Sequence, residues 1–141
     1  MSNKGSNFGR GGFKKHFNGK FGATSKGSEV CFGEWGLISL SSGELKENHI
    51  GAMTKVIKRN LKDRGRVYVR VYPDYSVTKK TRDSTLGGGA GKFDHTAAFV
   101  KAGKILLEIA GLSPVESKSV LGIVASRCPL KTRVIERRSH V

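Results

Sequence analysis

Acidic side chains are scarce in this sequence: 11 Asp and Glu stand against 26 Lys and Arg, for a formal net charge of +15. A surplus of that size repels itself in the compact state and calls for a polyanionic partner. The first 28 residues hold no acid at all, yet contain Lys4, Arg10, Lys14, Lys15, Lys20 and Lys26. Cysteine is nearly absent as well. Cys31 and Cys128 are far apart and lack CxxC spacing, so neither a disulfide framework nor a zinc site is indicated, and both are expected to be buried structural thiols in a reducing compartment. No segment approaches the roughly 20 apolar residues needed to span a bilayer, so no membrane partner is expected.

Signatures of chemistry are missing too. Leu86 to Phe93 is glycine-rich, but a Walker loop needs Gly where Leu86 stands and Ser or Thr where Phe93 stands. The GxGxxG pattern fails because, counted from Gly87, its last position is Lys92. His16, His49, His95 and His140 are scattered over different segments, and Asp94-His95 reads as a strand histidine with a neighbour. No catalytic residue, metal site or cofactor is therefore expected, and the chain does not read as an enzyme.

What remains is one domain with a leader. Residues 1–28 read as a basic RNA-binding arm, because Gly, Ser and Asn are too dense there for the stretch to fold alone. A mitochondrial targeting peptide is the competing reading of that segment. Residues 29–141 read as a single globular domain. Val30 to Phe32 and Leu37 to Leu40 are expected as short strands around Gly33 and Gly36. A helix follows at about 44–62, with Leu45, His49, Met53, Val56, Ile57 and Asn60 on one side and Lys55, Lys58, Arg59 and Lys62 opposite.

From Arg66 to Tyr72 the pattern has a period of two: Val67, Val69 and Val71 are expected to face the core, and Arg66, Tyr68, Arg70 and Tyr72 to face outward. A polar, glycine-rich loop is expected from Ser76 to Lys92, then a hairpin of strands at about 96–100 and 104–109 turning at Gly103. Ser113-Pro114-Val115-Glu116 predicts a helix start with a capping box, its apolar face carried by Val120, Leu121, Val124 and Cys128. Lys131 to Ile135 is expected as a closing strand. The fold class is α+β, two helices packed on a mainly antiparallel sheet.

Basic residues recur on every kind of element: the arm, a helix face, a strand face, the loop and the C-terminal segment. One charged face is usually just solvated, but so many in a small domain point to a partner that surrounds it. RNA supplies phosphates for Lys and Arg and unstacked bases for Tyr, Phe and Trp. The candidate RNA-binding residues are Lys14, Lys15, Lys20, Lys55, Arg59, Arg66, Arg70, Lys79, Lys80, Arg82, Lys92, Lys131 and Arg133.

Several runs, in unbroken order, resemble a known family. Gly27-Ser28-Glu29-Val30-Cys31-Phe32-Gly33-Glu34-Trp35-Gly36-Leu37 is similar to the opening of bacterial-type large-subunit ribosomal protein sixteen. Arg66 to Asp74 resembles that family's basic-aromatic strand with its Pro-Asp ending. Val77-Thr78-Lys79-Lys80, with Leu86-Gly87 and Gly89 to Gly91, follows its central loop. Gly103 to Gly111 and Pro129-Leu130-Lys131-Thr132 are similar to its last third, and Phe13-Lys14-Lys15-His16 with Gly19-Lys20 to its basic leader. The resemblance covers roughly residues 13–136.

It implies a structural constituent of the large ribosomal subunit that binds large-subunit ribosomal RNA and contacts neighbouring ribosomal proteins. It also implies a part in late assembly and a place beside the aminoacyl-site tRNA, toward which the central loop would reach. RNA contact carries over by resemblance to Lys14, Lys15, Arg66, Arg70, Lys79, Lys80 and Lys131. Thr85, Gly88 and Ala90 stand where the family's loop has cations, with Lys79, Arg82 and Lys92 as partial replacements, and Ser76 stands where it has Pro. That drift favours a mitochondrial ribosome over a plastid or bacterial cytoplasmic one. An RNA chaperone or assembly factor is the alternative function.

Overall fold

The computed structural model describes residues 22–24, 26–62, 64–85, 87–89 and 91–138. Lys14, Lys15, Lys20 and most of the proposed arm lie outside the described residues. The first elements are β1 (Trp35–Ser39), β2 (Gly43–Lys46), α1 (Glu47–Leu61) and β3 (Arg66–Val69). Then come β4 (Tyr75–Lys79), β5 (Lys92–Val100), β6 (Ile105–Ala110), α2 (Pro114–Ala125) and β7 (Thr132–Glu136). All named strand pairs are antiparallel, in a four-stranded sheet of order β3-β6-β1-β7 and a three-stranded sheet of order β2-β5-β4. The α+β class holds, with two sheets where one was expected.

The helices form for identifiable reasons. Ser113 caps α2: its hydroxyl accepts from the Glu116 N–H, the Glu116 carboxylate accepts from the Ser113 N–H, and Pro114 occupies the first turn. In α1, Ile50, Met53, Ile57 and Leu61 recur at helical spacing and are buried, while Lys55, Lys58 and Arg59 are exposed. Lys62 then takes a left-handed conformation and stops the helix. α2 packs on β1 and β7 of the four-stranded sheet and α1 on its β3 and on β2 and β5 of the smaller sheet; Trp35, Leu37, Leu107, Ile109, Val120, Leu121 and Val124 join the α1 residues in one core.

Several local expectations are corrected. The helix starts at Glu47, because Leu45 belongs to β2, where it is buried opposite Ala98. The apolar face of α1 therefore includes Ile50 and Leu61 and leaves His49 and Asn60 only half-buried. Val30 to Phe32 forms no strand; it folds back onto β6, and Cys31 is exposed rather than buried. Strands β5 and β6 do not pair with each other. The link between them is held from elsewhere: the Gly103 N–H donates to the Ser39 carbonyl, the Ala102 N–H to the Ser42 hydroxyl, and the Ile105 N–H to the Gly27 carbonyl.

The stretch from Ser76 to Lys92 is not all loop. β4 and β5 make a hairpin in which Lys79 stands opposite Lys92, leaving residues 80–91 as its tip. Val69 also departs from the alternation. It is 44% exposed, whereas Val71 is 4% exposed and in the core, and Val67 is partly buried against it. β3 lies at the edge of its sheet and ends at Val69, so the period of two stops there and Val71 reaches the core from outside the strand.

Candidate nucleic-acid interface

The most constrained polar group in the domain is Glu108. It interrupts the apolar run of β6, a central strand, and its side chain is fully buried. A buried carboxylate is tolerated only where hydrogen bonds and a cation replace its water. Here the N–H groups of Cys31, Phe32 and Gly33 donate to Oε2 at 3.2, 2.7 and 2.8 Å, and the Arg70 guanidinium donates to Oε1. Burial alone would raise the Glu108 pKa. The amides of Gly33, Phe32 and Cys31, followed by Arg70, outweigh that and hold it below the ordinary carboxylate value.

Gly33 is required for this wrap. A Cβ there would lie 2.5 Å from the Ile109 carbonyl oxygen, so only glycine lets residues 31–33 approach β6 closely enough for their amides to meet the carboxylate. The loop in turn carries Phe32, 59% exposed, out beside the edge strand. Its ring stacks on Tyr68 with centroids 5.7 Å apart and 28° between planes, and the Arg70 Cζ lies 4.9 Å from its centroid. Arg70 is thus not the free outward cation that the alternation suggests. It is half-buried, ion-paired and part of an aromatic ledge.

The other described candidates are on the surface but do not converge on one groove. Lys55 and Arg59 project from α1, Arg66 opens the edge strand β3, and Lys131 and Arg133 lie at β7, the opposite edge of the same sheet. Lys79, Lys80, Arg82 and Lys92 belong to the β4–β5 hairpin, brought together by the Lys79–Lys92 pairing. Within the tip the Lys80 ammonium donates to the Gly87 carbonyl, and Gly87, Gly88 and Gly89 all take positive φ. These glycines suit a tightly folded tip that L side chains would strain.

Asp94 and His95 sit on β5 near the same hairpin. His95 Nδ1 is 2.6 Å from Asp94 and Nε2 is 2.7 Å from Glu44 on β2. Burial disfavours the imidazolium, but the bonds to Glu44 and Asp94 outweigh it and raise the pKa above the ordinary value. This cross-strand bridge ties β2 to β5 and offers no nucleophile. Among the described residues no cluster of three or more His, Cys, Asp or Glu is arranged to hold a metal, and no helix is long and apolar enough to cross a membrane.

Sequence reasoning missed Glu108 and Phe32. A lone acid inside Ile105-Leu106-Leu107-Glu108-Ile109 was the available signal, since a central strand carries a charge only when something buried satisfies it.

The family model described as Ribosomal protein L16p/L10e matches residues 10–135. The chain is 38% identical over 130 residues to the large ribosomal subunit protein uL16 of Chlamydia trachomatis serovar L2, covering 92% of this chain and 94% of that one. Proteins of the same name from Chlamydia abortus and Chlamydia pneumoniae are also 38% identical over 92% of this chain, with 95% and 94% of their own lengths covered. The chain belongs to the L16p/L10e family of ribosomal proteins.

Proposed function

We propose that this chain is a structural constituent of the large ribosomal subunit, bound to large-subunit ribosomal RNA and to neighbouring ribosomal proteins. The observation that carries this reading is the family match across residues 10–135. The distribution of exposed cations over α1, both edges of the four-stranded sheet and the hairpin supports it, because RNA folded around a protein presents phosphates on several sides. The reading needs no catalytic step.

Particles carrying the chain should keep it through a wash in about 1 M salt, where the electrostatic screening length falls to ~3 Å. An embedded protein is also held by shape and stacking, whereas a chaperone or assembly factor held by charge alone is released. Recovery of the chain in the free fraction of a density gradient after that wash would assign it to the second class.

The finer part of the proposal gives the hairpin tip a role in accommodating aminoacyl-site tRNA. The tip projects beyond the paired strands, its described residues are mostly exposed, and its glycines allow a close approach to another backbone. Deleting residues 85–90 keeps Gly91 packed on the Lys79 backbone, so the strands retain their pairing. Such ribosomes should assemble normally and slow several-fold at tRNA entry in single-turnover elongation assays. Unchanged entry rates would remove the role. The relatives named above are bacterial, which supports a ribosome of bacterial type. Placement in mitochondria, with plastid and bacterial cytoplasm as alternatives, is the finest part of the proposal and is tested by organelle fractionation.

A further inference from the structure

The geometry points to the Phe32–Tyr68–Arg70 ledge as a stacking site for one unpaired RNA base. This rests on the RNA-binding reading above and adds a site and a mode of contact to it. Three observations carry the inference. Phe32 leaves 59% of its surface in water although it could have been any polar residue in an exposed loop. It is already stacked on Tyr68 and flanked by the Arg70 guanidinium, so the ledge is assembled before any ligand arrives.

Its backbone, finally, is fastened to the domain centre through the Cys31, Phe32 and Gly33 amides on Glu108. A ring held this way loses little freedom when a base settles on it, which is the condition under which stacking yields full affinity. A protein partner would also accept an aromatic ledge, but charge decides for RNA. The chain carries +15, and Arg66, exposed two residues before Tyr68 on the same edge strand, offers a phosphate contact beside the base. Arg70 is a positioning residue here: its charge is engaged by Glu108, and what it contributes is a guanidinium beside the Phe32 ring.

The test uses the full chain with a 12-nucleotide single-stranded RNA and with the same length of abasic RNA, which keeps the phosphates and lacks the bases. Wild-type protein should prefer the base-bearing RNA by about ten-fold, the worth of one aromatic–base stack. Phe32→Leu should abolish that preference while leaving the salt slope unchanged, because no cation is lost; Phe32→Tyr should keep it. Arg66→Ala should instead lower the slope by about one and keep the preference.

Equal preference in wild type and Phe32→Leu, with both folded by circular dichroism, overturns the ledge. Loss of a ribosomal protein neighbour from Phe32→Leu particles with RNA binding intact overturns it too, in favour of a protein contact. Neither result touches the ribosomal reading, which fails separately if the wild-type chain does not travel with large subunits.

Discussion

Glu108→Ala should lower the unfolding free energy by about 3–5 kcal/mol, the cost of breaking a buried ion pair from one side. The change leaves three loop amides and the Arg70 guanidinium without their acceptor. Against a typical total of roughly 5–15 kcal/mol, that is a large share of the fold's stability. Removing both charges in an Arg70→Leu, Glu108→Leu double variant should not restore it, because the orphaned amides belong to the backbone. Urea titration of the three proteins measures the difference, and a loss under about 1 kcal/mol for Glu108→Ala would mean that water reaches the loop.

The same group gives an acid signature. Its folded pKa is depressed below the ordinary 4.5, so its contribution is complete above that value and is lost as pH falls through the folded one. The stability gap between wild type and Glu108→Gln should therefore be constant near neutrality and shrink below about pH 4.5.

The second large effect separates two valines. Val71→Asp places a carboxylate at a core position and should cost about 4 kcal/mol or more. Val69→Asp, at the uncovered end of the edge strand, should cost about 1 kcal/mol. Denaturant midpoints of the two variants settle the order. A larger loss at Val69 would restore the strict alternation of Val67, Val69 and Val71 and overturn the edge-strand placement.

These valines illustrate what the sequence made legible. Alternation identifies a strand from Arg66 correctly, since φ/ψ sterics impose the period locally. Where that strand ends, and which of its side chains are covered, is decided by distant packing, and no period records it. The capping box of α2 was readable to the residue because all its partners lie within four positions. The proposed pairing of strands 96–100 and 104–109 failed for the converse reason. Gly103 does mark a turn, with φ +90°, but the strands on either side take partners far away in sequence.

Leu45 fitted a helical wheel by coincidence of spacing, and only the pairing with Ala98 reveals the strand. Surface exposure of the described candidate cations, Arg70 apart, was legible in the composition. The Glu108 hub was not, because its meaning lies in amides some 75 positions upstream.

The order of strands in the larger sheet has a consequence for how the chain acquires its shape. β1 stands between β6 and β7, so Trp35 is opposite Ile109 on one side and Glu136 on the other, the latter about a hundred residues downstream. Neither flank of β1 can be closed by a neighbour in sequence. During synthesis, then, the Trp35–Ser39 segment emerges early with both rows of backbone groups open, and remains so until β6 and finally β7 have been made. The β4–β5 hairpin and α2 need no such wait. Closure of that sheet therefore waits for residues near 136, and the interval before it is when the nascent chain most needs shielding from others of its kind.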